Sequence, residues 1–183
     1  KPLGCYGDGG CVFTKSKKIA DKIKSLRLHG KGFNKYDNKY VGLNSRLDTI
    51  QAAILIEKLK VFPDELKKRK EIANFYMKNI DKKEILPKER ENSQSVWSQF
   101  TIKTSLRDDL KLFLQKKKIP SAVYYPRPLH KQSAYKHYSN KNLTFCNSEN
   151  ASKRVLSIPI HGYLNQKQVK YITDALNNFF GKE

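Results

Sequence analysis

Two short clusters contain side chains suited to binding an anionic, sugar-like ligand. In the first, Asn44 offers an amide donor and Arg46 a guanidinium, and both groups suit phosphate or carboxylate oxygens. In the second, Tyr124 and Tyr125 precede Arg127, and tyrosines can stack on a sugar or a base and donate a hydrogen bond. Each cluster has a structural alternative. Asn44 could cap the following helix, Arg46 could pair on the surface, and the tyrosines could be core residues at the end of a strand.

The histidines and cysteines fit structural roles better than catalytic ones. His29 follows a helical segment, where a cation can cap the helix C-terminus. His130 and His161 lie in the short motifs PLH and SIPIH, which we interpret as structural. We expect Cys5 and Cys11 to be small buried residues beside a glycine turn. The sequence has three cysteines and no CxxC pair, which argues against a disulfide scaffold or a zinc site and fits a reducing cytoplasm.

The charge of the chain suggests a polyanionic partner. The 183 residues include 37 Lys and Arg against 17 Asp and Glu, a formal net charge of +20. A nucleotide-linked substrate and nucleic acid are the two alternatives. No zinc-finger spacing, RNP-like strand or basic zipper supports nucleic-acid binding, and the scattered lysines indicate solvated helix faces. No apolar run approaches a membrane span and the first residues contain no signal-peptide core, so we expect a cytoplasmic protein that does not bind membranes.

The first part of the chain is expected to be mainly helical. A glycine turn at 7–10 precedes a predicted short strand at 11–14. Ser16 should cap a helix that runs to about residue 28. The predicted inner face of this helix carries Ile19, Ala20, Ile23 and Leu26. A long helix should begin at Asp48, and Pro63 should kink it or divide it in two.

From about residue 81 the pattern alternates between strands and helices, which predicts an α/β or α+β segment. Extended segments are predicted at 96–103, 121–125 and 156–160. Helices are predicted at 106–117, 131–138, 148–154 and 166–180. We place a boundary near 80–95, so that residues 1–85 are part of a larger domain and residues 86–183 form a compact small domain. Because the chain begins with Lys1 rather than Met, we expect it to be a piece of a longer protein.

Five strings occur in order along the chain: KPLGCYGDGG, RLHG, VGLNSRLDTIQAAIL, VYYPRPLH and SIPIH. Together they resemble the DegT/DnrJ/EryC1/StrS family of sugar aminotransferases, which depend on pyridoxal 5'-phosphate (PLP). The resemblance covers essentially all 183 residues. It is strongest to members that aminate a 3-keto nucleotide sugar such as UDP-2-acetamido-3-keto-glucuronate. It implies fold type I, the α/β fold of aspartate aminotransferase, with the end of the large PLP-binding domain followed by the small C-terminal domain.

The resemblance also implies roles for individual residues. Lys1 matches the lysine that holds PLP as a Schiff base and then acts as a base. The family's dehydratase branch has a histidine there, so the lysine favours transamination. Asn44 matches an asparagine that reaches the cofactor phosphate of the partner subunit, which implies a homodimer with shared active sites.

The remaining implied residues bind the substrate. Arg46 matches an arginine near the substrate carboxylate or diphosphate in some members. Tyr125 matches the usual tyrosine of its motif, whereas the most similar members have a histidine at the position of Tyr124. We expect Tyr124, Tyr125 and Arg127 to bind the nucleotide sugar. No metal site is expected.

The implied reaction is PLP-dependent transamination, with glutamate as amino donor and a UDP-linked 3-keto derivative of N-acetylglucosamine or glucuronate as acceptor. Such amino sugars serve the biosynthesis of cell-surface polysaccharides, including lipopolysaccharide. Two alternatives stay open. The enzyme could aminate a 4-keto sugar, or the chain could be a non-catalytic fragment of the same family with a regulatory or dimerisation role.

Overall fold

The computed structural model describes residues 1–34, 36–138 and 143–181. The chain forms two compact units, Leu3–Phe62 and the larger unit of Lys1–Pro2 with Pro63–Glu183. The boundary predicted near residues 85 and 86 concerns the domains of the whole protein and stays a prediction. Residues 139–142 and 182–183 of the predicted small domain, and Lys35 in the predicted loop before the long helix, lie outside the described residues.

The smaller unit contains helix α1, Lys17–Leu26, and the first part of helix α2, Thr49–Asn79. Ser16 caps α1 as predicted, since its hydroxyl accepts a hydrogen bond from the Ile19 N–H at 3.3 Å. The predicted inner face of α1 is not buried, and Ile19 is 51% exposed. The other three residues of this face, Ala20, Ile23 and Leu26, are half-buried.

One further sequence prediction for the first part of the chain is wrong, and of the two alternatives for Pro63 the division of the helix is excluded while a kink stays a prediction. Residues 11–14 form no strand, because no described segment pairs with them and a strand needs a hydrogen-bonded partner. Helix α2 continues through Pro63 and is not divided there. A proline removes one backbone donor, and the turns on both sides of Pro63 keep their own hydrogen bonds.

The larger unit is built around a two-stranded antiparallel sheet of β1, Phe100–Lys103, and β2, Val155–Ile158. The register places Phe100 opposite Ile158. The strand predicted at 96–103 is therefore shorter than expected. It begins only at Phe100 because Trp97 has a left-handed backbone conformation, with φ of 46°, which interrupts the extended chain.

Helices complete this unit. They are α3, Arg107–Lys116; α4, Cys146–Arg154; and α5, Gln166–Phe180; with short 3-10 helices at Lys83–Ile85, Leu129–Lys131 and Ser133–Tyr138. The bounds of α5 agree with the prediction, and reciprocal hydrogen bonds between Asn165 and Gln168 fix its first turn. Helix α4 leads directly into β2, with no intervening loop.

The core of the larger unit lies between the sheet and the helices. The rings of Tyr76 on α2 and Phe100 on β1 meet edge to face, 5.1 Å apart, and Phe113 on α3 contacts Phe179 on α5 at 5.3 Å. The buried Tyr76 hydroxyl donates to the Pro159 carbonyl at 2.9 Å, and burial raises the pKa of this phenol. None of the described helices has the length and apolar character needed to cross a bilayer.

Candidate active site

A cavity of about 390 Å³ lies at one end of the sheet in the larger unit. Its wall is formed by Lys1, by the two residues before β1, by the segment before Tyr125, and by the end of β2 with the residues that follow. The lining residues are Lys1, Ser98, Gln99, Pro120, Ser121, Ala122, Tyr124, Ser157, Ile158, Pro159 and Ile160. Small-molecule sites commonly have volumes of about 300–1,000 Å³, so the cavity could hold a cofactor-sized or sugar-sized group.

The segment that carries Tyr124 is fixed to β2 at one point. The Ala122 N–H donates to the Ser157 carbonyl at 3.0 Å, and the Ser157 N–H donates to the Ala122 carbonyl at 2.7 Å. This single bridge replaces the strand predicted at 121–125, which is wrong. The segment lies between Pro120 and Pro126, which have no N–H to extend a ladder. Tyr124 follows the bridge and lines the cavity.

The two tyrosines and Arg127 are accessible to a ligand. Tyr124 is 44% exposed and Tyr125 is 66% exposed, and their rings lie 5.6 Å apart. The interpretation of these tyrosines as core residues is therefore wrong. Arg127 is also exposed, and its carbonyl accepts a 3.4 Å hydrogen bond from the Gln132 side chain. The structure brings Lys1 and Tyr124 to one cavity, whereas Tyr125 and Arg127 are outside its lining.

Four polar residues of this cavity were not among the candidates from the sequence, namely Ser98, Gln99, Ser121 and Ser157. Their hydroxyl and amide groups can donate and accept hydrogen bonds with a polar ligand. A signal for the first two was present in the sequence, because they are a polar pair between the aromatic residues Trp97 and Phe100. Only the long-range pairing of the two strands places them near Lys1.

Asn44 and Arg46 lie in the smaller unit, on a loop tied to the end of α1. The Leu43 N–H donates to the Leu26 carbonyl at 2.8 Å, and the Ser45 N–H donates to the Arg27 carbonyl at 2.9 Å. Both candidate residues are exposed. The backbone pairing of this loop holds Asn44 opposite Leu28, an arrangement different from that of a helix cap on α2. The two side chains are thus free to face a ligand or a partner subunit.

Two glycines permit this loop to approach the end of α1. A Cβ on Gly42 would lie 2.0 Å from the Gly30 nitrogen, and a Cβ on Gly30 would lie 1.7 Å from the Tyr40 carbonyl oxygen. Gly30 also has φ of 76°, which side chains other than glycine adopt at a cost. Helix α1 ends with Arg27 as its cap residue rather than His29, and His29 bonds the Leu43 carbonyl through its backbone N–H.

The cysteines have no arrangement typical of catalysis or metal binding. Cys5 is half-buried and its thiol donates to the Gln51 side-chain oxygen at 2.8 Å. Cys11 is exposed, as are the residues that follow it to position 14, so the prediction of a small buried residue is wrong for it. Within the described residues, no group of three or more His, Cys, Asp or Glu side chains could hold a metal ion.

His130 has a structural partner, as the sequence suggested. Its Nε2 lies 3.1 Å from a carboxylate oxygen of Glu149 on α4, and its ring centre lies 4.7 Å from that of Phe145. His161 is next to the cavity residue Ile160. Partial loss of solvent lowers the pKa of His161, and the positive charge of Arg69 lowers it further. His161 is therefore predominantly neutral near pH 7.

The model of the DegT/DnrJ/EryC1/StrS aminotransferase family matches residues 1–177. The chain belongs to this family. The fold expected from the resemblance is confirmed by solved structures of sugar aminotransferases. A DegT/DnrJ/EryC1/StrS aminotransferase from Brucella abortus superposes with a TM-score of 0.93 at 45% identity, covering 99% of this chain and 48% of the other. DesV of S. venezuelae superposes with a TM-score of 0.90 at 32% identity, covering 98% of this chain and 48% of the other.

Sequence relatives with assigned activities include a UDP-2-acetamido-2-deoxy-3-oxo-D-glucuronate aminotransferase of Pseudomonas aeruginosa. It is 38% identical over 179 residues, which cover 97% of this chain and 49% of the relative. The chain thus spans about half the length of the curated relatives it matches. The family's aminotransferases are PLP-dependent, and a structural neighbour from Streptococcus pneumoniae is known in a PLP-form and a PMP-form.

The residues around the cavity fit PLP. The cofactor needs an amine for its aldehyde, and Lys1 is an exposed lysine on the cavity wall. Ser98, Gln99 and Ser121 add uncharged hydrogen-bonding groups on the same wall. The chemistry of this donor set therefore agrees with the cofactor of the family.

Proposed function

We propose that the protein containing this chain transfers an amino group from glutamate to the keto carbon of a UDP-linked sugar, with PLP as cofactor. The observation that carries the proposal is that Lys1 and Tyr124, far apart in sequence, line one cavity. Family membership over residues 1–177 supports the same reaction class. We further propose that the acceptor is a 3-keto derivative of N-acetylglucosamine, in its glucuronate form, and that the product serves surface polysaccharides.

Bound PLP supplies an electron sink for the carbon that carries the amine. Lys1 Nζ holds the cofactor at rest, and after release it moves a proton to or from that carbon. Tyr124 and Tyr125 offer ring faces and hydroxyls to the sugar or the base.

The cationic residues match the charge of the proposed substrate. A glucuronate carrying a diphosphate brings about three negative charges. Arg46 and Arg127 are exposed and could each form charge-assisted hydrogen bonds to carboxylate or phosphate oxygens. Such bonds contribute about 1.5–3 kcal/mol, so replacing either arginine should weaken substrate binding about tenfold or more. We propose that Asn44 binds the cofactor phosphate of a second subunit, which makes the working unit a homodimer.

A second candidate is amination at the 4-position. A UDP-4-amino-4,6-dideoxy-N-acetyl-beta-L-altrosamine transaminase of Campylobacter jejuni is 31% identical over 192 residues, covering 100% of this chain and 50% of that protein. Tyr124, in place of the histidine of the 3-amino branch, favours this alternative. A third candidate is a non-catalytic role. A pleiotropic regulatory protein of Geobacillus stearothermophilus is 34% identical over 184 residues, which cover 98% of this chain and 49% of that protein.

Reverse transamination by the full-length enzyme tests these proposals. The enzyme is incubated with 2-oxoglutarate and either a UDP-3-amino-glucuronate or a neutral UDP-4-amino sugar, and glutamate is measured. We expect glutamate to form from the UDP-3-amino-glucuronate. Glutamate from the 4-amino sugar alone would support the second candidate and point to Tyr124 as its cause. No glutamate from either, in an enzyme loaded with PLP, would support a regulatory role.

A further inference from the structure

The exposed tyrosines lie on residues 123–128, which we call the tyrosine segment. Its first end is fixed by the two backbone hydrogen bonds between Ala122 and Ser157 on β2. Between this point and residue 129, two hydrogen bonds reach the rest of the described chain: the Lys131 N–H donates to the Pro128 carbonyl at 3.0 Å, and the Gln132 side chain makes a weak 3.4 Å contact with the Arg127 carbonyl. Pro126 and Pro128 have no N–H and cannot add backbone donors. The position of the segment therefore depends on how its second end is held.

The second end is held by a carboxylate on α4. The tyrosine segment leads into the 3-10 helix Leu129–Lys131. One oxygen of Glu149 lies 3.1 Å from His130 Nε2, and the other lies 2.5 Å from Lys131 Nζ. A carboxylate bound by two neighbouring residues through both oxygens fixes orientation as well as distance.

The surroundings of Glu149 hold the carboxylate in place. The Phe145 ring packs beside the His130 ring, and the backbone N–H of Glu149 donates to the Phe145 carbonyl at 3.0 Å. The Ser152 hydroxyl donates to the Glu149 carbonyl at 2.8 Å and is itself buried. Lys131 and His130 both lower the pKa of Glu149, in that order of effect. The side chain is therefore an anion at neutral pH.

Both ends of the tyrosine segment are thus attached to one continuous element, since α4 leads directly into β2. We propose that Glu149 is a positioning residue, which holds the tyrosine segment against the cavity through His130 and Lys131 and so sets the affinity for the nucleotide sugar. This proposal rests on the proposed function. Glu149 is outside the cavity lining, so its effect on binding is transmitted through the Leu129–Lys131 turn.

Glu149→Gln in the full-length holoenzyme tests the proposal, because glutamine keeps the shape of the side chain and loses its charge. Two properties are measured. The first is amide hydrogen exchange of Lys131 and Gln132, whose N–H groups donate to the carbonyls of Pro128 and Leu129 at 3.0 Å and so report whether the second end of the segment is held. The second is the dissociation constant of UDP-N-acetylglucosamine, which lacks a keto group and cannot turn over. We expect faster exchange and binding weakened about three- to tenfold, the range for losing partly exposed charged hydrogen bonds.

Two comparisons separate positioning from general damage. Release of 2-oxoglutarate from glutamate alone takes place beside the same Lys1 but involves no nucleotide sugar, so in Glu149→Gln it should fall less than the binding of UDP-N-acetylglucosamine does. Asp108→Asn removes an exposed acidic partner of Arg107 in the same unit and should change neither exchange nor binding. His130→Gln should weaken binding as Glu149→Gln does. The double variant should bind no more weakly than Glu149→Gln, because His130 acts only through that carboxylate.

The outcomes distinguish this inference from the proposed function. If the wild type binds UDP-N-acetylglucosamine and Glu149→Gln binds it equally well, or exchanges the Lys131 and Gln132 amides at the wild-type rate, the positioning role is overturned. Weakened binding in Asp108→Asn would also overturn it, since the effect would then be general. If the wild type binds no UDP-sugar although it is loaded with PLP, the proposed function fails and this inference fails with it.

Discussion

The backbone of Gly42 passes so close to that of Gly30 that a Cβ on Gly42 would lie 2.0 Å from the Gly30 nitrogen. Atoms cannot approach this closely, so the loop that carries Asn44 can take its position only when residue 42 has no side chain. The Asn44 side chain is exposed and takes part in none of the hydrogen bonds that hold the loop. The stability of the loop and the proposed role of Asn44 can therefore be tested separately.

Gly42→Ala should destabilise the protein by about 1–3 kcal/mol or more, as overpacking does, because the backbone of residues 29 and 30 must move. Urea unfolding of the full-length protein measures the change. Gly10→Ala is the matched control, since a Cβ on Gly10 meets nothing within 4 Å. Equal stability of the two variants would mean that the close crossing is not what holds the loop.

Lys1→Ala should reduce turnover by at least about 10²–10⁴-fold, the usual contribution of a positioned base, while PLP can still bind non-covalently. Borohydride reduction of the wild-type holoenzyme and peptide mapping should place the cofactor label on the Lys1 peptide. Lys17→Ala, at the exposed start of α1, is the control and should keep full activity and labelling. A label on any other lysine would disprove the assignment.

Shared active sites predict complementation between inactive variants. If Asn44 serves the site of the partner subunit, Lys1→Ala and Asn44→Ala subunits should regain part of the wild-type activity after mixing and subunit exchange. One of the two sites in a mixed dimer then has both residues intact. The mixtures must first be shown to contain mixed dimers. If their activity is then no higher than that of the separate variants, each site is complete within one subunit.

The Glu149 contacts should make stability depend on acid pH. Hydrogen bonds from Lys131 and His130 lower the pKa of the carboxyl in the folded state below its ordinary value of about 4.3. The unfolded chain therefore binds a proton more readily than the folded protein does. The stabilisation of the folded state by the Glu149 contacts is complete above the unfolded pKa and is lost as the pH falls through the folded pKa. Wild type should lose stability relative to Glu149→Gln below about pH 4.3. Parallel stability curves for the two proteins over this range would contradict the expectation.

Local sequence signals predicted the helices well. The bounds of α5 follow from its amphipathic pattern and from the Asn165 and Gln168 side chains, which close its first turn on themselves. Ser16 likewise identified the start of α1. These features depend on residues within one turn of each other, so the sequence predicts them without knowledge of the rest of the fold.

Features that depend on distant partners were predicted poorly. Residues 121–125 have the composition of a strand, yet only Ala122 pairs with β2. Ser98 and Gln99 became candidates only when the sheet placed them beside Lys1. The identification of Lys1 itself rested on the resemblance of its surrounding motif, because one lysine among so many carries no local signal of its role.

The direct junction between α4 and β2 restricts how this region can change in evolution. An insertion or deletion of one residue after Arg154 would shift the register of β2 and exchange the faces of Leu156 and Ser157. The same insertion or deletion would remove the Leu156 side chain from the core and would displace the bridge between Ser157 and Ala122. Length variation among homologues should therefore be absent at this junction and should accumulate in exposed turns instead.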